Sequence, residues 1–252
     1  MYKHIVPHYY KLKHILTKEQ LEKYKRLTKG KGNIFGNGNK LITFKKTDDK
    51  VIFANDKYVF KFLNNTKRLS ELYYTYLFAQ HRVYSLSNDN STIIVLKRYE
   101  TFTTISVNRF SLLKIAQDIK HQIIDYHENF IIHNDIKPSN IVQNLDRNLT
   151  FKWLIIDYGL MLTYNLNNIP NLNFEIGTKG YIPKYENIEL LDKRTQLFFM
   201  FMKDWYGFGK ILSEIGDSNG YTITKLIENM NIEQIKAFFN NYLPRNRIYY
   251  LK

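Results

Sequence analysis

The sequence predicts an α+β chain in which a β-rich first part precedes a larger, mainly helical part. Three observations predict it. Short apolar runs bounded by turn residues fill the first third. A stripe of apolar residues at three- and four-residue steps begins after about Glu100. Long stretches in the last quarter are helical by pattern.

Taken in order, Thr17 to Gln20 forms a capping-box pattern that predicts a short helix to about Leu27. Gly30, Gly32, Gly36 and Gly38 follow. Leu41–Phe44, Val51–Phe53 and Tyr58–Leu63 read as strands, and Asn55-Asp56 suits a tight hairpin turn between the last two. Ser70–Gln80 reads as a helix and Ser91–Leu96 as a further strand. Leu112, Ile115, Ala116, Ile119 and Ile123 mark one buried helix face. Trp153–Ile156 is a short apolar strand, and Asn165–Asn173 an Asn-rich open loop. Leu197–Ile215 and Ile223–Tyr242 read as helices.

The 252 residues suffice for one large domain or two small ones. Hydrophobic residues make up 44% and charged residues 24%, a globular balance that excludes wholesale disorder. Lys and Arg number 37 against 23 Asp and Glu, a net charge of +14. Such a field attracts anionic partners: nucleotide, nucleic acid, acidic protein or membrane surface. A basic solvated surface without a dedicated partner explains it equally well, and no nucleic-acid-binding motif accompanies it. With no cysteine, disulfides and thiolate chemistry are excluded. Met1–Gln20 holds no signal-peptide apolar core, and Leu197–Met202 is too short to span a bilayer. A soluble, intracellular protein is expected, in cytoplasm or nucleus, without a membrane role. The sequence assigns no oligomeric state.

The chemistry concentrates in Ile131–Val142, IIHNDIKPSNIV. His133, Asn134 and Asp135 are followed by Lys137 and Asn140. Seventeen residues after Asn140 comes Asp157-Tyr158-Gly159. Phosphoryl transfer from ATP needs one carboxylate to orient the attacking hydroxyl, cations for the moving charge, and oxygen ligands for Mg2+. Asp135 suits the first role, Lys137 the second, and Asn140 with Asp157 the third. His133 reads as a packed, hydrogen-bonded brace. His4, His8 and His14 have no metal-ligand company, and His121 and His127 fall on the preceding helix.

These residues resemble the eukaryotic-type protein kinase family, whose catalytic loop reads H-R-D-x-K-x-x-N before a D-F-G element. Gly177-Thr178-Lys179-Gly180-Tyr181 is similar to the family's G-T-x-x-Y, and Asp204-Trp205-Tyr206-Gly207-Phe208-Gly209 to its D-x-W-S-F-G helix start. Tyr58-Val59-Phe60-Lys61 resembles V-A-I-K. The resemblance covers about Leu41 to Tyr242, and its elements keep the family order.

The resemblance implies a bilobal kinase-like fold with a trimmed C-terminus, since 43 residues follow Gly209. Residues 1–97 would form an N-terminal extension plus the small lobe, 98–102 a hinge, and 103–252 the large catalytic lobe. ATP would lie between the lobes with Mg2+ or Mn2+. Lys61 would meet its α- and β-phosphates, Glu71 would pair with Lys61, and Asp204 would brace the catalytic loop. Gly36 and Gly38 would cover the phosphates; in the alternative arrangement the covering loop is Lys46 to Lys50, without glycine. Lys137 implies serine/threonine specificity. The substrates would be proteins, acidic or nucleic-acid-associated ones among the candidates.

The sequence also departs from the pattern. Asn134 stands where the family has the Arg that grips a phosphorylated loop, so activity is expected to be constitutive or partner-driven. Tyr158 replaces the Phe of D-F-G, and its hydroxyl needs a partner if buried. Pro183-Lys184-Tyr185-Glu186 degrades the A-P-E element; Glu186 would pair with Arg245 or Arg247. Compact kinases of large DNA viruses look similar. Two other readings stay open. Small-molecule kinases of the choline or aminoglycoside phosphotransferase type fit Asn134, though they generally lack Lys137 and the G-T-x-x-Y. A pseudokinase scaffold would keep the cleft without transferring phosphate.

Overall fold

The computed structural model describes residues 42–46, 50–54, 58–63, 69–78, 84–88, 91–102, 109–145, 151–164, 172–185, 188–216 and 218–229, with single positions at 169, 231, 233, 234 and 237. The chain divides into two compact units, Met1–Arg98 and Tyr99–Lys252. Both strands and helices are present, as an α+β fold requires.

In the first unit, β1 (Ile42–Lys46), β2 (Lys50–Ala54), β3 (Tyr58–Leu63), β4 (Tyr84–Asn88) and β5 (Ser91–Lys97) form an antiparallel sheet in the order β1-β2-β3-β5-β4. Alternation puts Phe60 and Lys61 on opposite faces of β3, and both are buried. Lys61 sits opposite Ile52 of β2 and Ile94 of β5, at the middle of the sheet. The helix α1 (Leu69–Phe78) follows β3 after a short connection. It buries Glu71, Tyr74 and Thr75.

The second unit holds a three-stranded antiparallel sheet in the order β6 (Glu100–Thr101), β8 (Ile141–Leu145), β9 (Phe151–Ile155). A two-stranded pair joins β7 (Ile131–Ile132) to β10 (Leu162–Thr163). The helix α2 (Arg109–Glu128) places Ile115, Ile119, Ile123 and Tyr126 in the core at helical spacing. Its polar residues serve the edge strand β9. Asp118 Oδ2 accepts the Trp153 N–H at 2.9 Å. Gln122 donates to the Trp153 carbonyl at 2.8 Å and accepts from the Ile155 N–H at 3.0 Å. A sheet edge that would otherwise offer unpaired backbone groups is thereby closed by side chains.

The helix α3 (Lys193–Glu214) is buried at nearly every position from Thr195 to Leu212, as befits a helix surrounded by protein. Leu197, Met200 and Phe201 are fully buried beside Ile132 and Ile188. Asp192 caps its start, accepting the Thr195 N–H at 2.9 Å. Next comes α4 (Ser218–Asn229). No described helix is long and apolar enough to cross a membrane.

Several boundaries differ from expectation. α3 begins at Lys193, four residues before the predicted start, because Asp192 caps a polar first turn that apolar periodicity cannot register. The mostly helical stretch expected over Ile223–Tyr242 is interrupted. α4 ends at Asn229, and Asn231 and Gln234 exchange side-chain bonds with each other's N–H at 2.9 and 3.1 Å. That reciprocal capping box marks a new helix start. The two-residue strands β6, β7 and β10 carry too few residues for an alternation signal, and β4 and β8 are not among the strands expected from the sequence. The predicted helix after Thr17, Gly30, Gly32, Gly36 and Gly38, the Asn55-Asp56 turn, Glu186, Arg245 and Arg247 lie outside the described residues.

Candidate active site

Residues 133–140 form a loop between β7 and β8 that is buried over most of its length. Backbone conformation makes its shape. Asn134 adopts φ 66, and Asp157, at the end of the facing strand, φ 69. Asn and Asp enter the left-handed region more readily than other side-chain-bearing residues, so the sequence permits both turns at small cost. The Ile156 N–H donates to the Asn140 carbonyl at 2.8 Å, and Ile141 pairs with Ile155. These bonds set Asn140 and Asp157 on adjoining segments.

Asp204, on α3, anchors the loop from beneath. Its Oδ2 accepts the His133 N–H at 2.8 Å and its Oδ1 the Asn134 N–H at 2.9 Å. His127 Nε2 lies 3.1 Å from Oδ2, in a fully buried setting. α3 can approach this closely because position 207 is glycine: a Cβ there would stand 2.5 Å from the Ile136 carbonyl oxygen. His133 is fully buried between the rings of Tyr126 and Tyr158, with centroids 6.1 and 6.0 Å away. Burial lowers its pKa, with Asp204 and Asp135 opposing. Its Nδ1 accepts the Asp135 N–H at 3.3 Å. It therefore packs as a brace.

Asp135 is the centre of a side-chain cluster. Lys137 Nζ donates to Asp135 Oδ2 at 2.7 Å and to Thr178 Oγ1 at 2.6 Å. The Thr178 hydroxyl in turn donates to Asp135 Oδ1 at 2.6 Å. Asn140 Nδ2 donates to the Asp135 carbonyl at 2.8 Å and to Oδ2 at 3.0 Å. Asp135 thus has both carboxylate oxygens engaged and one orientation available. With the Asn140 nitrogen turned to Asp135, its amide oxygen is the atom suited to a cation. That oxygen and the half-buried Asp157 carboxylate on the adjoining segment would make a small, hard, all-oxygen donor set. Such a set fits Mg2+, which binds through one or two protein oxygens plus phosphates and waters. No cluster of three or more His, Cys, Asp or Glu suited to a metal occurs among the described residues.

In the first unit, Lys61 Nζ lies 3.1 Å from Glu71 Oε1, with both side chains nearly sealed from water. Glu71 is thus the carboxylate that α1 presents to the lysine of β3. Thr47, Asp48 and Asp49, between β1 and β2 in the sequence, lie outside the described residues. The Tyr158 hydroxyl, which needed a partner, donates to the Ile155 carbonyl at 2.9 Å.

Two residues in the second unit's site were given no role from the sequence. Thr178 closes the Asp135–Lys137 cluster; the Gly-Thr pair was visible, but nothing over 43 residues of chain signals the contact. Lys203 is buried beside Asp204 and donates to the Ile176 carbonyl at 2.7 Å. An apolar helix pattern gives no reason to look for a buried lysine.

No family model matches the chain. Among curated proteins, it is 27% identical over 164 residues to a probable serine/threonine-protein kinase of Dictyostelium discoideum, fnkB, covering 61% of this chain and 28% of that one. It is 31% identical over 122 residues to the dual specificity protein kinase zak2 of the same organism, covering 48% and 18%. It is 30% identical over 175 residues to calcium-dependent protein kinase 5 of Plasmodium berghei, covering 65% and 29%. The chain therefore spans less than a third of the length of these relatives. At low identity and over part of the chain, these similarities support a protein kinase family for this protein.

Proposed function

We propose that the chain is an ATP- and metal-dependent protein kinase that transfers the γ-phosphate to Ser or Thr of protein substrates. The observation that carries this reading is the cluster in which Lys137 and Thr178 hold both oxygens of Asp135. A carboxylate fixed in this way is oriented to accept the proton of an incoming hydroxyl. The Lys137 ammonium beside it would neutralise charge that develops on the transferring group. Asn140 and Asp157 would hold Mg2+ or Mn2+, which when bound would neutralise phosphate charge. Lys61, oriented by Glu71, would meet the α- and β-phosphates. Catalysis then consists mainly of positioning and charge compensation.

The kinase relatives support protein as the substrate class, although one of them is named for dual specificity. The Lys137–Thr178 clamp favours a hydroxyl on a peptide over choline or an aminoglycoside, because small-molecule kinases of that type generally lack both groups. Gly36 and Gly38 enter the proposal as a cover for the phosphates. The glycine-free segment Lys46 to Lys50 is the rival, and Gly36→Ala with Gly38→Ala should raise the KM for ATP only in the first case.

Labelled γ-phosphate offered with casein, histone, a basic peptide and choline tests the reading. Label on Ser or Thr of protein supports it. Label on choline alone replaces it with the small-molecule reading. ATP binding without any transfer replaces it with a pseudokinase scaffold. The strong positive charge adds acidic or nucleic-acid-associated substrates to the proposal, and equal labelling of acidic and basic proteins would remove them.

A further inference from the structure

Lys203 is 3% exposed, in the interior of α3. Among the described residues its Nζ donates to one group, the Ile176 carbonyl at 2.7 Å. The adjacent Asp204 already receives two backbone N–H groups and lies beside His127, so its oxygens serve the loop 133–134. A buried ammonium that meets a single carbonyl is costly, and a methionine would fill the same space without the charge. What the lysine adds is a hold on Ile176.

Ile176 is two residues before Thr178. Gly177 between them has φ +122, and a Cβ at this position would stand 2.5 Å from the Asn134 carbonyl oxygen. The segment is therefore gripped at three successive positions. Lys203 holds the Ile176 carbonyl, Gly177 rests against the Asn134 backbone, and Thr178 meets Asp135 and Lys137. Asn134 is uncharged, and its Nδ2 donates to the Leu160 carbonyl at 3.0 Å. The 176–178 segment is thus met by two cations, Lys137 of the loop at Thr178 and Lys203 of α3 at Ile176.

We propose that Lys203 is a positioning residue that keeps Thr178 seated on Asp135 with no phosphate on the chain. The proposal rests on the kinase reading for its catalytic consequence, and on the contacts of the second unit for its structural one. Lys203 acts through Ile176 and Thr178; it meets no reacting atom.

The test compares the full chain with Lys203→Met. Two quantities are read: steady-state transfer to casein, and amide hydrogen exchange at Tyr181, whose N–H donates to the Thr178 carbonyl at 3.0 Å. The expected result is a kcat lower by about tenfold or more with the KM for ATP within about twofold. Exchange at Tyr181 should rise by about tenfold, with exchange in α2 unchanged. Wild type treated with phosphatase, its dephosphorylation confirmed by mass, should keep its rate. Unchanged kcat and unchanged Tyr181 exchange in Lys203→Met overturn the proposal and leave the kinase reading intact, as does a phosphatase-sensitive wild type. A wild type that transfers nothing overturns the kinase reading, and the exchange at Tyr181 then still decides whether Lys203 positions the segment. Should Lys203→Met fail to fold, Lys203→Gln retains a neutral but shorter donor. A smaller rise in exchange is then expected, and no rise overturns the proposal.

Discussion

The Asp204 carboxylate accepts the backbone N–H groups of both His133 and Asn134, from 2.8 and 2.9 Å, so a helix side chain serves as the hydrogen-bond floor of the loop that carries Asp135. Two consecutive N–H groups aimed at one carboxylate fix the loop's direction more firmly than packing alone. Asp204→Asn can satisfy only one of them as an acceptor. The variant should lose about 1.5–3 kcal/mol of stability, the range for hydrogen bonds to a charged group. Denaturant titration reads this, and a midpoint equal to wild type would contradict the anchoring role. Among folded molecules, kcat should fall by more than the KM for ATP rises.

Thr178 supplies the prediction most specific to the catalytic cluster. Thr178→Val keeps the shape and removes both the hydroxyl that donates to Asp135 and the acceptor for Lys137. The expected loss in kcat is about 10–100-fold, in the range for a misoriented general base. Thr178→Ser should restore most of it. Equal activity in all three would show that the hydroxyl does not orient the carboxylate.

Gly207 makes the close approach of α3 to the loop possible. Gly207→Ala places a Cβ 2.5 Å from the Ile136 carbonyl oxygen, and backbone must shift to relieve it. A stability loss of about 1–3 kcal/mol is expected, as for other overpacked sites, together with reduced transfer. Alanine is otherwise the better helix former by about 1 kcal/mol. A net gain in melting temperature would therefore show that the loop yields easily.

Lys203 gives stability a signed pH dependence. Burial lowers its ammonium to about 8 from an ordinary 10.5, with Asp204 and Asp135 opposing the shift. Between these values the unfolded chain keeps a proton that the native chain has released, so stability rises with pH across the window. Below pH 8 both states are protonated and the full cost of the buried charge is present. The gain is at most about 3 kcal/mol. Above about pH 10 it is offset by buried phenols such as Tyr126, whose raised pKa makes the unfolded chain ionise first. Urea midpoints between pH 7 and 9.5 should climb in wild type and stay flatter in Lys203→Met. Parallel curves would show that Lys203 does not titrate there.

Much of this was legible in the sequence, for a physical reason. Asp135, Lys137 and Asn140 sit on one loop and Asp157 just after the strand pair β8–β9 that follows it, so order along the chain carries them. The long helices announced themselves through apolar periodicity, as with Ile115, Ile119 and Ile123. Capping was harder to read, because Asp192, Asn231 and Gln234 are ordinary polar residues until the backbone places them. The Thr178–Asp135 and Lys203–Ile176 contacts join residues 43 and 27 apart, and no local pattern encodes them. Gln122 and Asp118, which close the edge of β9, are indistinguishable in sequence from any solvated helix face.

The most direct test of the central claim compares wild type with Asp135→Asn in a single-turnover transfer of labelled γ-phosphate to casein, with Mg2+ and ATP saturating. The substitution removes the base and leaves the volume. The account predicts ATP binding within about twofold of wild type and a transfer rate lower by about 10²–10⁴-fold. Transfer at the wild-type rate would contradict the assignment of Asp135 and with it the catalytic reading of the cluster.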